Sequence, residues 1–133
     1  MTRDIFRVKV YYEDTDCGGV VYYANYLRYF ERARTELLEA RGVNMKGLMN
    51  EGVFFVVAEA SLKYRAPGRY GDILIIETVI DRIGPASITV THRVINGEGA
   101  RIVDAVVKLG CVGRDMKPLK IRHDIMKKLT AED

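Results

Sequence analysis

One long amphipathic helix set between a first strand and four later ones predicts an α+β domain, with the helix wrapped by a curved antiparallel sheet. Three observations carry that expectation. A helical period runs through a single long stretch, roughly Ala24 to Arg41. From Val53 onward the sequence turns to segments rich in β-branched residues. Only short turns separate those segments, and a parallel pair would need a crossover of a dozen or more residues.

Each element can be justified in order. Phe6, Val8, Val10 and Tyr12 alternate with Arg7, Lys9 and Tyr11, which reads as a half-buried strand. An acid- and glycine-rich loop, Glu13 to Gly19, follows. In the long helix Leu27, Phe30, Ala33, Arg34, Leu37 and Leu38 recur at helical spacing, opposite Arg28, Glu31, Arg32, Glu36 and Glu39. Gly42 supplies a C-terminal stop. A short helix from Met45 to Asn50 takes Asn44 as its cap. Strands are expected over Val53–Arg65, Ile73–Ile83, Ser87–Ile95 and Arg101–Val112, punctuated by Ala66-Pro67-Gly68, Gly84-Pro85 and Asn96-Gly97-Glu98-Gly99. The C-terminal stretch, with six cations from Arg114 to Lys128, reads as a solvated basic tail in preference to a final helix. One helix covers one sheet face, so the other face and the edges call for self-association.

The chain has 133 residues, 48% hydrophobic and 29% charged, which fits one globular domain spanning residues 1–133. Its net charge of +3 is too small to imply a nucleic-acid partner. The longest wholly apolar run, Val53 to Ala58, falls far short of the ~20 residues of a membrane span. The N-terminus has no apolar signal region, and Cys17 and Cys111 fit neither a zinc spacing nor a disulfide framework. A cytoplasmic protein without a bound metal is expected.

Chemistry concentrates between Tyr11 and Tyr26, a segment with three carboxylates, the Gly18-Gly19 pair and five tyrosines. It joins a strand end to a helix start. Unpaired N–H groups there suit an oxygen that develops negative charge, and a neighbouring carboxylate would act as base or nucleophile on a bound carbonyl. A helix-capping loop, with Asp16 or Asn25 satisfying backbone donors, uses the same residues, and spacing leaves both readings open. A calcium loop starting at Asp14 fails because Asn25 stands where its bidentate Glu belongs. Aspartate-based phosphoryl transfer of the haloacid dehalogenase type needs a parallel α/β sheet, which this order of elements does not offer.

The run EDTDCGGVVYYANYLRYFERARTELL, Glu13 to Leu38, resembles the signature of the YbgC / 4-hydroxybenzoyl-CoA thioesterase family. Phe30 to Thr35 and the Tyr64…Ala66-Pro67 pair fit its YbgC branch, and the resemblance extends over nearly the whole chain. It implies a hotdog fold and hydrolysis of an acyl-CoA thioester to a carboxylic acid and free CoA. The family's catalytic aspartate falls on Asp16, which in relatives activates water or attacks the thioester to form a mixed anhydride. Its carbonyl-polarising backbone N–H falls on Tyr23, where the closest branch usually has His. A backbone donor survives that change, whereas work by an imidazole would not. The resemblance also implies a homodimer with a continuous sheet, often a homotetramer, with active sites between subunits. Neither metal nor redox cofactor is implied.

Other residues divide between structure and binding. Lys63, Arg65 and Arg69 form a cluster without an intervening acid, suited either to CoA phosphates or to guarding an edge strand. Lys63 and Arg65 share a strand face, and the Pro67-Gly68 turn would bring Arg69 near them. Cys17 reads as a packed or partly exposed thiol, His92 as a half-buried core histidine and His123 as exposed. Glu59 reads as an ordinary strand residue, and Glu13 and Asp14 as shapers of the loop. Tyr12, Tyr22, Tyr26 and Phe30 would line an acyl pocket or, more simply, pack the helix on the sheet. A dehydratase needs a well-placed catalytic His, which this chain does not offer. A non-catalytic module binding acyl-CoA or acyl carrier protein is the standing alternative, and it would have no use for Asp16.

Overall fold

The computed structural model describes residues 3–130. Strand β1 (Asp4–Lys9) leads through a 3-10 turn (Tyr12–Asp14) to the long helix α1 (Asn25–Ala40) and the short helix α2 (Met45–Asn50). Strands β2 (Phe54–Tyr64), β3 (Ile73–Ile83), β4 (Ser87–Ile95) and β5 (Arg101–Val112) follow, and helix α3 (His123–Thr130) closes the described chain. The strands form one sheet in the order β1-β3-β4-β5-β2, with every neighbouring pair antiparallel. Register shifts at Val57/Glu59, Ile80/Arg82 and Val94/Ile95 mark bulges, which bend strands and increase their twist. This is the expected hotdog arrangement, a curved sheet around a central helix.

Helix α1 buries Asn25, Tyr26, Tyr29, Phe30, Ala33, Arg34, Leu37 and Leu38, a stripe at i, i+1, i+4 spacing. Leu27 falls off that stripe and is exposed, against expectation, while Tyr29 takes an inward place. Tyr12 also departs from the expected strand. The 3-10 turn begins there and leaves its ring in solvent, edge-on to Tyr70. Arg41 caps the helix end, and Gly42 follows with a φ of +83°, a conformation that favours glycine. The Asn44 side chain accepts from the Gly47 N–H, as the cap of α2 requires.

The expected basic tail is instead a packed helix. Ile121, Ile125 and Leu129 bury beside Leu37, Leu38 and Leu48, and each such side chain contributes about 1.5–3 kcal/mol when fully buried. The cations of this stretch lie on the outer surface. Lys128 donates to the Gly42 carbonyl at 3.0 Å, and Arg122 pairs with Glu51 and Asp124. Among the described residues no helix is long and apolar enough to cross a membrane.

Candidate active site

The loop after β1 is folded by its own backbone. The Asp16 N–H donates to the Val20 carbonyl at 2.9 Å and the Gly19 N–H donates back to the Asp16 carbonyl at 3.2 Å, closing a tight turn. Gly19 sits at φ +75° in that turn, a conformation that L side chains rarely adopt. A bridge between Thr15 and Val21 lines up the two arms, and a second bridge ties Val20 to Arg69. The outgoing arm enters the helix start directly through a turn in which the Asn25 N–H donates to the Tyr22 carbonyl at 2.8 Å.

Two carboxylates of this loop are treated differently. Asp14 accepts the Tyr11 N–H at 2.8 Å and the Asn25 side-chain amide at 3.2 Å. Its carbonyl accepts both the Asn25 amide and the Tyr22 N–H, so Asp14 and Asn25 clamp the loop to α1. The buried Tyr29 hydroxyl faces this carboxylate without a hydrogen bond of sound geometry. Burial first and the Asp14 charge second hold Tyr29 above the ordinary phenol range. Asp16, by contrast, is exposed. Its Oδ1 accepts the Gly18 N–H at 2.8 Å, and its Oδ2 accepts nothing from the described residues. A side chain on residue 18 would meet that Oδ1 at 3.3 Å, so glycine leaves the carboxylate its room.

The helix start is equally open. Its N-cap residue is Ala24, which has no capping side chain. Among the described residues neither the Tyr23 N–H nor the Ala24 N–H has an acceptor. A cleft of about 280 Å³ runs between loop and helix, bordered by Glu13, Thr15, Tyr22, Ala24, Asn25 and Arg28. Asp16, on the hairpin, is not among the residues that border it.

Similarity to known proteins places the chain in a family. The model of the thioesterase superfamily matches residues 18–103. The chain belongs to that superfamily. The chain is 42% identical over 135 residues to the acyl-CoA thioester hydrolase YbgC of Escherichia coli, covering 99% of this chain and 98% of that one. A solved structure from Thermus thermophilus, 31% identical, superposes with a TM-score of 0.88 over 95% of this chain and 96% of that one. The 1,4-dihydroxy-2-naphthoyl-CoA thioesterase of Synechocystis, at 18% identity, shares the fold, with a TM-score of 0.88 over 96% of each chain. This protein is a thioesterase.

The expected cation cluster is split. Lys63 and Arg65 border a broad cleft of about 590 Å³ on the outer sheet face. Arg69 is carried by the Pro67-Gly68 turn to the loop, where its backbone bridges Val20 and its N–H donates to Asp72. Three cations that the sequence reading missed, Arg3, Arg93 and Arg101, join the cleft. Arg3 pairs with Glu77 at 3.1 Å, whereas Arg93, Arg101 and Arg65 converge on Asp104, at 3.7, 3.8 and 2.9 Å. The signal for Arg93 lies in register, since Asp104 pairs with Lys63 on one side and Arg93 on the other.

The tyrosines split too. Tyr26 and Phe30 are core, whereas Tyr12 and Tyr22 are exposed at the loop. Cys17 is an exposed free thiol, and Glu59 and His123 face solvent. His92 is more deeply placed than expected, 2% exposed and stacked on Phe30 with centroids 4.4 Å apart. Arg34, which carries only donors, contacts Nε2 at 3.3 Å, so Nε2 accepts and Nδ1–H donates to Thr78 at 2.9 Å. Burial first and the Arg34 charge second push His92 down to about 3, and a sealed, neutral imidazole does no acid–base work at neutral pH.

Proposed function

We propose that this thioesterase hydrolyses acyl-CoA to a carboxylic acid and free CoA, with Asp16 as general base or nucleophile and the Tyr23 N–H polarising the thioester carbonyl. One observation carries the reading. The loop pins one oxygen of Asp16 and leaves the other free, on the connection that runs into a helix start whose first amides have no acceptor among the described residues. As a base, Asp16 takes a proton from water as its oxygen bonds to the acyl carbon. The carbonyl oxygen gains negative charge against the amide, the C–S bond breaks, and the sulfur leaves with the electron pair and takes a proton. As a nucleophile, Asp16 bonds to the acyl carbon itself, the C–S bond breaks, and the sulfur leaves with the electron pair and takes a proton. Water then cleaves the mixed anhydride to give the carboxylic acid and return the Asp16 carboxylate. A thioester is activated enough for either route without metal or redox cofactor, and losing one aimed donor typically costs about 2.7–4 kcal/mol of barrier.

The nucleotide end of CoA carries several phosphates, which suits Lys63 and Arg65 in the outer cleft, with Arg93 and Arg101 beside them. Arg69 would meet the substrate from the loop side. A second copy of the chain would pair along β2, an edge strand whose middle is exposed on both faces, Val57 by 53%. That dimer, and a tetramer built from it, would complete the site with residues of two subunits. Free Cys17 and Cys111 suit a reducing cytoplasm. An acyl carrier protein presents the same thioester and is a second acceptable carrier, whereas nothing in the reading calls for nucleic acid.

Thiol release measured across short-chain, long-chain and aromatic acyl-CoAs, and on an acyl carrier protein, tests the reading. Turnover on at least one of them is expected. Binding without release on all of them would contradict it and favour a non-catalytic acyl-CoA module.

A further inference from the structure

A planar trans peptide points its C=O and N–H in opposite directions, so whatever holds the carbonyl also aims the amide. The Tyr22 carbonyl accepts the Asn25 N–H at 2.8 Å, which fixes the peptide that carries the Tyr23 N–H. The next peptide is held from outside the helix. The Tyr64 hydroxyl, at the end of β2, donates to the Tyr23 carbonyl at 3.2 Å, and the amide on the far side of that peptide is the unbonded Ala24 N–H. Most helices stiffen this turn with a Ser, Thr, Asp or Asn cap, whose oxygen occupies backbone donors. Here Ala24 leaves the donors open, and the tether from β2 supplies the stiffness instead.

We propose that Tyr64 is a positioning residue for thioester hydrolysis, its hydroxyl fixing the Tyr23–Ala24 peptide and so aiming the Ala24 N–H as a second donor at the thioester carbonyl. The proposal rests on the hydrolysis proposed above. Tyr64 is well placed for this role. Its ring packs edge-on to Tyr23 at 6.3 Å and against the buried Tyr26 at 5.9 Å. Tyr26 is itself fixed, its hydroxyl accepting the Gly68 N–H at 3.2 Å. A side chain on residue 68 would meet the Tyr26 hydroxyl at 3.0 Å, so the anchor is built by close approach. Packing alone would be served by Phe. The hydroxyl has one partner among the described residues, the Tyr23 carbonyl. Burial first and the Tyr23 phenol second raise the Tyr64 pKa, which keeps that hydroxyl a donor.

Tyr64→Phe removes one O–H and keeps the ring. On a hydrolysed acyl-CoA, kcat should fall about tenfold with KM within about twofold, since a misaimed donor is felt chiefly in the transition state. The loss should be the same for every acyl chain. Ala24→Pro deletes the aimed N–H, which no acceptor among the described residues uses, and a φ of −72° at this residue suits proline. It should cost about 100-fold in kcat, and the double variant should be no slower than Ala24→Pro alone. A Tyr64→Phe enzyme with kcat within twofold of wild type, a loss confined to KM, or additive losses in the double variant would overturn the proposal. If Ala24→Pro does not fold, the split between kcat and KM in Tyr64→Phe decides alone. Asp16→Asn measured beside them separates the levels: retained turnover there defeats the hydrolysis reading, whereas its loss with an unaffected Tyr64→Phe defeats only this one.

Discussion

Helix α1 meets titratable groups in two places, and they have opposite fates. At its middle, Arg34 and His92 are sealed at 8% and 2% exposure, with both imidazole nitrogens hydrogen-bonded. Before its start, on the loop that leads into it, Asp16 stands in solvent with one oxygen free, and the first amides of the helix have no acceptor among the described residues. The sealed pair has its hydrogen bonds made before any ligand arrives, so its titration is coupled to folding. The open site keeps its donors and acceptor unspent, so its groups are available to a substrate. Asp14 and Asp16 repeat the contrast two residues apart: the first holds the loop to the helix, and the second is held through one oxygen and leaves the other free.

The contrast can be broken from either side. Apart from removal of the Asp16 charge, the largest expected effect falls on the sealed pair. His92 has a folded pKa of about 3 against an ordinary 6.5, so the unfolded chain binds its proton more readily. The stability it contributes is full above pH 6.5 and is lost as pH falls toward 3. Between pH 7 and pH 5 the loss should reach about 2 kcal/mol. Denaturant unfolding should show that slope in the wild type and a flat response over the same window in His92→Gln. An equal slope in both proteins would mean that another group carries it.

Next in size is the outer cleft. Replacing Lys63, Arg65 and Arg69 together with Ala should raise KM for acyl-CoA about tenfold, about 1.4 kcal/mol, and spare small uncharged thioesters. An equal effect on both substrates would argue against phosphate docking. Since Arg69 lies apart from the other two, the Lys63/Arg65 double variant should account for most of the change. The smallest effect belongs to the clamp. Asn25→Ala removes the amide that holds Asp14 and should cost about 1 kcal/mol of stability in thermal unfolding, together with a fall in kcat as the loop loosens. Unchanged kcat would show that the loop holds its shape without the clamp.

Local chemistry was legible in the sequence, and long-range pairing was not. The bounds of α2, β3, β4 and β5 follow from period and turn residues, and the structure keeps them. Asp16 and the helix start stood out by residue type and position. Leu27 is apolar but off the stripe that Tyr26, Tyr29 and Ala33 define, so its residue type points inward while its helical phase leaves it exposed. At and just before α3 the four-residue spacing of Ile121, Ile125 and Leu129 is present but diluted by surrounding charge. The clamp from Asn25 to Asp14, the tether from Tyr64 to Tyr23 and the convergence on Asp104 join residues that are neighbours only after the sheet has set its register. Proximity in the chain likewise failed for Arg69, because its backbone bridges Val20 of the loop and it does not border the cleft that Lys63 and Arg65 line.

The most direct test of the central claim is Asp16→Asn, with acyl-CoA affinity, kcat and thermal unfolding measured on one preparation. The substitution keeps size and hydrogen bonding to the Gly18 N–H while removing the charge. Binding and the unfolding temperature should stay near wild type while kcat drops by about 100- to 10,000-fold, the range a positioned acid–base group contributes. A folded Asp16→Asn protein that turns over acyl-CoA at close to the wild-type kcat would contradict the account.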